Sequence, residues 1–143
     1  MSYHHLVPRV PRANVDPIVD AERALALVSA TVARPLQSET IVVLLDDHRR
    51  GGTITVVSGT DHPDALLDVV EVMCRAAQLS PVVTSLFVAS VRPASATLPG
   101  DVDRWLEASS IADSFDLELL EWFVVGPGGP ECPRDLIGEP ERW

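Results

Sequence analysis

Three segments, 39–46, 82–89 and 117–125, are almost continuously apolar and rich in Val, Ile, Leu and Phe. A strand with one wet face alternates apolar and polar residues, whereas a strand covered on both faces reads as an unbroken apolar run. These segments therefore predict strands inside a sheet that helices cover. A further β-branched stretch, Thr53 to Val57, follows a turn-forming Asp47-His-Arg-Arg-Gly-Gly52, so 39–46 and 53–57 read as a hairpin.

Helical spacing fills the intervals. Ile18, Ala21, Leu25, Val28 and Val32 recur after Asp16-Pro17, which reads as an N-cap followed by a first-turn proline. Leu66, Leu67, Val70, Met73 and Ala77 follow Asp61-His62-Pro63, with Pro81 beyond. Val102, Trp105, Leu106, Ser109, Ala112 and Phe115 form the third stripe, with Asp101 and Asp103 in its first turn, where carboxylates favour the helix dipole. The order α-β-β-α-β-α-β predicts an α/β domain with a mixed β-sheet and flanking helices. Residues 1–15 read as an N-terminal arm, 16–126 as the domain, and 127–143 as a Pro-rich C-terminal tail ending in an exposed tryptophan.

The chain has 143 residues, one domain's worth, with 21 acidic and 11 basic residues and a formal charge of −10. All the basic residues are arginine. Without lysine there is no P-loop and no Schiff-base amine beyond the N-terminus, so kinase and aldolase readings fall away. The acidic balance speaks against unspecific nucleic-acid binding. Cys74 and Cys132 show neither a disulfide framework nor a zinc-knuckle spacing, which suits a reducing cytoplasmic setting. No run is long enough to span a membrane, and abundant Ala, Val, Arg and Pro fit a GC-rich bacterial genome.

Several stretches carry a more specific signal. Glu39 to Arg49 is a glutamate followed by an apolar run ending in Leu-Asp; Ser58-Gly59-Thr60 precedes a helix; and Ser90-Val91-Arg92-Pro93 leads through Asp103 to Leu119–Gly126. Together they resemble the RadC-like branch of the JAB/MPN (JAMM) metalloprotease superfamily over about Ala24 to Gly126. The resemblance implies a JAB/MPN-like, cytidine-deaminase-like sandwich. It also implies a metal motif H-x-H-P-x6-S-x-x-D, in which two imidazoles and a carboxylate hold Zn²⁺ and a glutamate deprotonates the bound water.

Counted in register, Ser90 and Arg92 replace the two histidines, Gly100 replaces the serine, and Pro93 and Asp103 match; Glu39 falls at the general base. Arginine has no lone pair to give a metal and would repel a dication. Glu121-Trp122 stands where the family often has Asp-His, and the family's helix-hairpin-helix module is missing. The resemblance thus implies the fold without its chemistry, and no zinc or other cofactor is expected.

Each residue also has a plainer reading. Glu39 is then a solvated strand-edge residue, Asp103 a helix first-turn carboxylate, and Arg92 a surface loop residue rather than a partner of Asp103 or Glu39. His48 and His62 read as turn or cap residues, Cys74 as a buried small hydrophobe, and Cys132 as a candidate reactive thiol. The expected function is a catalytically inactive protein-interaction or assembly module, binding a protein partner or forming a homo-oligomer, with no nucleic acid or membrane. Trp122, Trp143 and the tail are its candidate anchors. The alternative is an isopeptidase- or peptidase-like hydrolase with a site rebuilt from Glu39, Asp103 and a relocated histidine.

Overall fold

A computed structural model describes residues 9–143. His4, His5 and the first part of the expected N-terminal arm lie outside the described residues. The elements run α1 (Ala21–Thr31), β1 (Glu39–Asp46), β2 (Gly51–Ser58), α2 (Ala65–Ala77), β3 (Val83–Val91), α3 (Asp101–Ser114), β4 (Glu118–Gly126), β5 (Gly129–Glu131) and a 3-10 helix (Pro133–Ile137).

The strands form a mixed sheet in the order β2-β1-β3-β4-β5. β1 is antiparallel to β2 and β3; β3 and β4 are parallel, joined by the crossover helix α3. β1 is buried along nearly its whole length, as its apolar run requires. β2 differs: it is an edge strand, and Ile54 and Val56 are 44% and 43% exposed, because only one neighbour and part of one helix layer cover it.

The pleat sorts the core into two clusters. Val42, Leu44, Leu86, Val88, Trp122 and Val124 face α2 and α3, while Ile41, Val43, Leu45, Phe87, Phe123 and Val125 face α1. A bulge between Leu86 and Phe87 pairs Leu86 with Leu119 and Phe87 with Glu121, leaving Leu120 as the extra residue of β4. Among the described residues, no helix is long and apolar enough to cross a membrane.

The expected start of the first helix is corrected. α1 starts after Asp20, whose carboxylate accepts the Arg23 N–H, rather than at Asp16. Asp16 instead binds the Arg12 backbone and guanidinium, Pro17 bridges to Arg50, and the Ile18 N–H donates to the Arg49 carbonyl.

The segment after Gly126 is no loose tail. Cys132 leads into the 3-10 helix, where the Arg134 Nε donates to the Glu121 carboxylate at 3.0 Å in a buried pair. The Arg142 guanidinium lies 4.5 Å from the Trp105 ring centroid and donates to the Ser109 hydroxyl and the Leu119 carbonyl. Trp143 packs edge-on against Phe87, with ring centroids 5.7 Å apart. Trp105 and Trp122 are fully buried. Trp105 and Trp122 therefore serve the interior, which corrects the expectation that Trp122 anchors a partner, while Trp143 is half-buried.

Candidate functional site

β3 ends beside the first turns of α2 and α3, and a cleft of about 230 Å³ opens there, lined by Thr40, Thr60, His62, Ser90, Arg92 and the 93–98 loop. The loop is held close by a missing side chain. A Cβ on Gly126 would stand 2.4 Å from the Ser95 carbonyl oxygen, so only glycine lets the loop backbone lie on the end of β4.

Strand parity decides which residues reach the cleft. Thr40 and Ser90 are directly paired across β1 and β3 and share the face of Val42 and Val88. The Thr40 and Thr60 hydroxyls are hydrogen-bonded at 2.8 Å, and the Trp122 Nε1–H donates to the Ser90 Oγ at 2.9 Å. Glu39, one residue earlier, is on the opposite face with Ile41 and Val43. It is 5% exposed and accepts the Ala33 N–H at 3.1 Å. Glu39 is thus neither a solvated edge residue nor positioned as a base in this cleft.

Arg92 does leave β3 into the cleft, but its partner is neither Asp103 nor Glu39. Its guanidinium grips Asp101 with two bonds, Nη1 to Oδ2 at 2.6 Å and Nη2 to Oδ1 at 2.9 Å, and sits 5.7 Å from the Trp122 ring centroid. The Asp101 carboxylate also accepts the Leu98 N–H at 2.7 Å and Arg104 Nη1 at 2.9 Å. Arg104 continues to Asp64 at 2.8 Å. Burial of Asp101 would push its carboxyl up, but the Arg92 and Leu98 hydrogen bonds and the guanidinium charges outweigh this and hold it below the usual range.

Asp103 is exposed. Helical phase explains the exchange: Asp101, Trp105, Ala108 and Ala112 lie on the buried stripe of α3, and a residue two positions beyond Asp101 points to another side. Gly100 is the N-cap of α3 in the left-handed region, at φ 89°, where serine would be strained. Asp101 and Thr40 were missed as site residues, although the Trp105 phase and the threonine inside an apolar strand both signalled them.

The donor set does not fit a zinc ion. Ser90 is a neutral hydroxyl engaged by Trp122, Arg92 is a permanent cation, and Asp101 is saturated by two guanidiniums and an amide. Among the described residues, no group of three or more His, Cys, Asp or Glu side chains could hold a metal.

The remaining candidates fall into structural roles. The His62 Nδ1 accepts the Asp64 N–H ahead of α2, and His48 sits in the β1–β2 turn. Burial pushes the Cys74 thiol up to about 11. Burial, with the Glu121 and Asp135 charges, pushes Cys132 up to about 12, against the reading of a reactive thiol. Among the described residues, the Thr40, Thr60 and Ser90 hydroxyls are hydrogen-bonded to no imidazole or carboxylate, while Thr97 of the 93–98 loop donates its hydroxyl to the Glu131 carboxylate at 2.8 Å, on β5.

No family model matches the chain. It is similar to a protein from Synechococcus elongatus named thiamine-monophosphate kinase, with 31% identity over 121 residues; the match covers 76% of this chain and 34% of that protein. The chain thus spans about a third of the length of this relative.

Proposed function

We propose that the chain is a RadC-like JAB/MPN domain whose metal site has been replaced by an ion-pair network, and that it acts as a protein-interaction or assembly module. The observation that carries this reading is the bidentate Arg92–Asp101 pair. The family's site needs a strand end and the next helix's first turn to converge on a dication. Here the same two elements converge, and the charge between them is a guanidinium. The element order and the antiparallel β1 beside parallel β3 and β4 agree with the sandwich that the sequence resemblance implies.

The hydrolase alternative needs Glu39, Asp103 and a histidine at one point. Glu39 lies on the far face of the sheet and Asp103 is exposed, so the geometry supports the binding module instead. The kinase name of the relative suggests phosphoryl transfer. Arg92, the sole arginine lining the cleft, is committed to Asp101, which leaves that reading without a phosphate-binding cation among the described cleft residues. A cytoplasmic location and a partner other than nucleic acid follow as part of the proposal, the latter from the charge of −10.

Zinc titration of the chelator-stripped protein, followed by dialysis and elemental analysis, tests the central point. The expected result is no retained zinc in the parent chain. One equivalent of retained zinc that disappears in Asp101→Asn would overturn the proposal and promote the hydrolase.

A further inference from the structure

The two edges of the sheet are treated differently. On the β4 side, β5 pairs with the strand's end, and Arg142 donates to the Leu119 carbonyl lower down. On the other side β2 is outermost, and among the described residues no strand pairs beyond it. Among the described residues only its first residue is engaged there, the Gly51 carbonyl accepting the Asn14 N–H at 2.9 Å. The segment from Gly52 to Ser58 carries no charge and no proline, the two devices that usually keep an edge from pairing.

We infer that β2 is the pairing edge for a second copy of this chain, joined antiparallel about a two-fold axis beside Thr55. This deepens the assembly part of the proposed function and does not depend on the cleft being inert. Three features select a second copy over another partner. Centring on Thr55 sets Ile54 opposite the copy's Val56, so the two half-exposed apolar residues of each strand cover one another on the α1 face. The same register sets Thr53 opposite Val57, two β-branched residues suited to a pleated surface. Past the strand's ends, an antiparallel two-fold also brings each copy's Arg50, whose Nε is held by Asp46 at 3.0 Å while the side chain stays 39% exposed, toward the other's exposed Asp61. Ile54 further borders a groove of about 210 Å³ with Ile18, Leu27 and Val43, which the copy's Val56 would help to close.

Sedimentation velocity of the full chain over a wide concentration range should show a monomer–dimer equilibrium, weakened at least about tenfold by Val56→Lys. Thr55→Cys provides the register-specific readout. Opposite residues of paired strands have Cβ atoms about 5 Å apart, within disulfide reach, so mild oxidation should give a covalent dimer. Thr53→Cys should not, since the two residues 53 would be about 13 Å apart along the strands. Circular dichroism checks that the exposed-site variants stay folded. A monomer at all concentrations with no Thr55→Cys cross-link overturns the inference, as does a dimer indifferent to Val56→Lys. Zinc retention measured on the same samples reports on the cleft alone, so the two proposals can fail separately.

Discussion

Replacing Arg92 with alanine removes both bonds to a carboxylate that has no exposed surface. Breaking a buried pair by deleting one partner typically costs about 3–5 kcal/mol, because a charge is left uncompensated. Asp101 keeps the Arg104 Nη1 at 2.9 Å and the Leu98 N–H at 2.7 Å, so its charge is not abandoned. The remaining loss is that of charge-assisted bonds and the contact with Trp122, about 2–3 kcal/mol together. With a urea slope of about 2 kcal/mol/M, the unfolding midpoint should fall by about 1 M.

Urea melts of Arg92→Ala, Asp101→Asn and the double variant close a cycle, whose coupling should reach about 1.5 kcal/mol or more. The pH dependence supplies a second reading. A carboxyl depressed in the folded state contributes stability that is fully present above the unfolded value, near 4, and is lost as pH falls through the folded value. Arg92→Ala should lessen that depression and flatten the loss of stability in acid. Additive single effects, within about 0.3 kcal/mol, together with an unchanged acid profile would refute the view that the guanidinium neutralises Asp101.

Glu121 should show the opposite sign: burial raises its carboxyl despite Arg134, so its own contribution to stability is fully present below the unfolded value of about 4.5 and is lost as pH rises through the folded value. Glu121→Gln should remove that decline in pH-dependent melts. Cys74, which is buried, and Cys132, which is half-buried, are raised to about 11 and about 12 and should react slowly with an aromatic disulfide reagent at neutral pH in the native protein and fully in denaturant; fast native labelling would contradict the raised thiols. Gly126→Ala must displace the Ser95 carbonyl, and should cost about 1–3 kcal/mol in melts while altering amide exchange in the 93–98 loop.

What the chain discloses locally, it discloses well. β1 runs from Glu39 to Asp46 as read, since charged residues bracket an apolar run that only a covered strand accommodates. Asp16-Pro17 misleads because the same dipeptide suits a helix start and a β-bridge, and only contact with Arg49 and Arg50 settles which forms. At the cleft, the sequence placed Arg92 at the right strand end but chose the wrong carboxylate. Motif counting selects Asp103, whereas the helical phase fixed by Trp105 selects Asp101. The role of residues 127–143 was not legible, because Arg134–Glu121, Arg142–Trp105 and Trp143–Phe87 join residues distant in the chain.

Those last contacts impose a schedule on synthesis. When β4 has just left the ribosome, its lower edge and the Trp105 face of α3 still lack Arg142, and Phe87 still lacks Trp143. A chain truncated after Gly126 would therefore present β4 with a bare edge and turn two aromatic surfaces outward, a species suited to holdase chaperones and prone to aggregate.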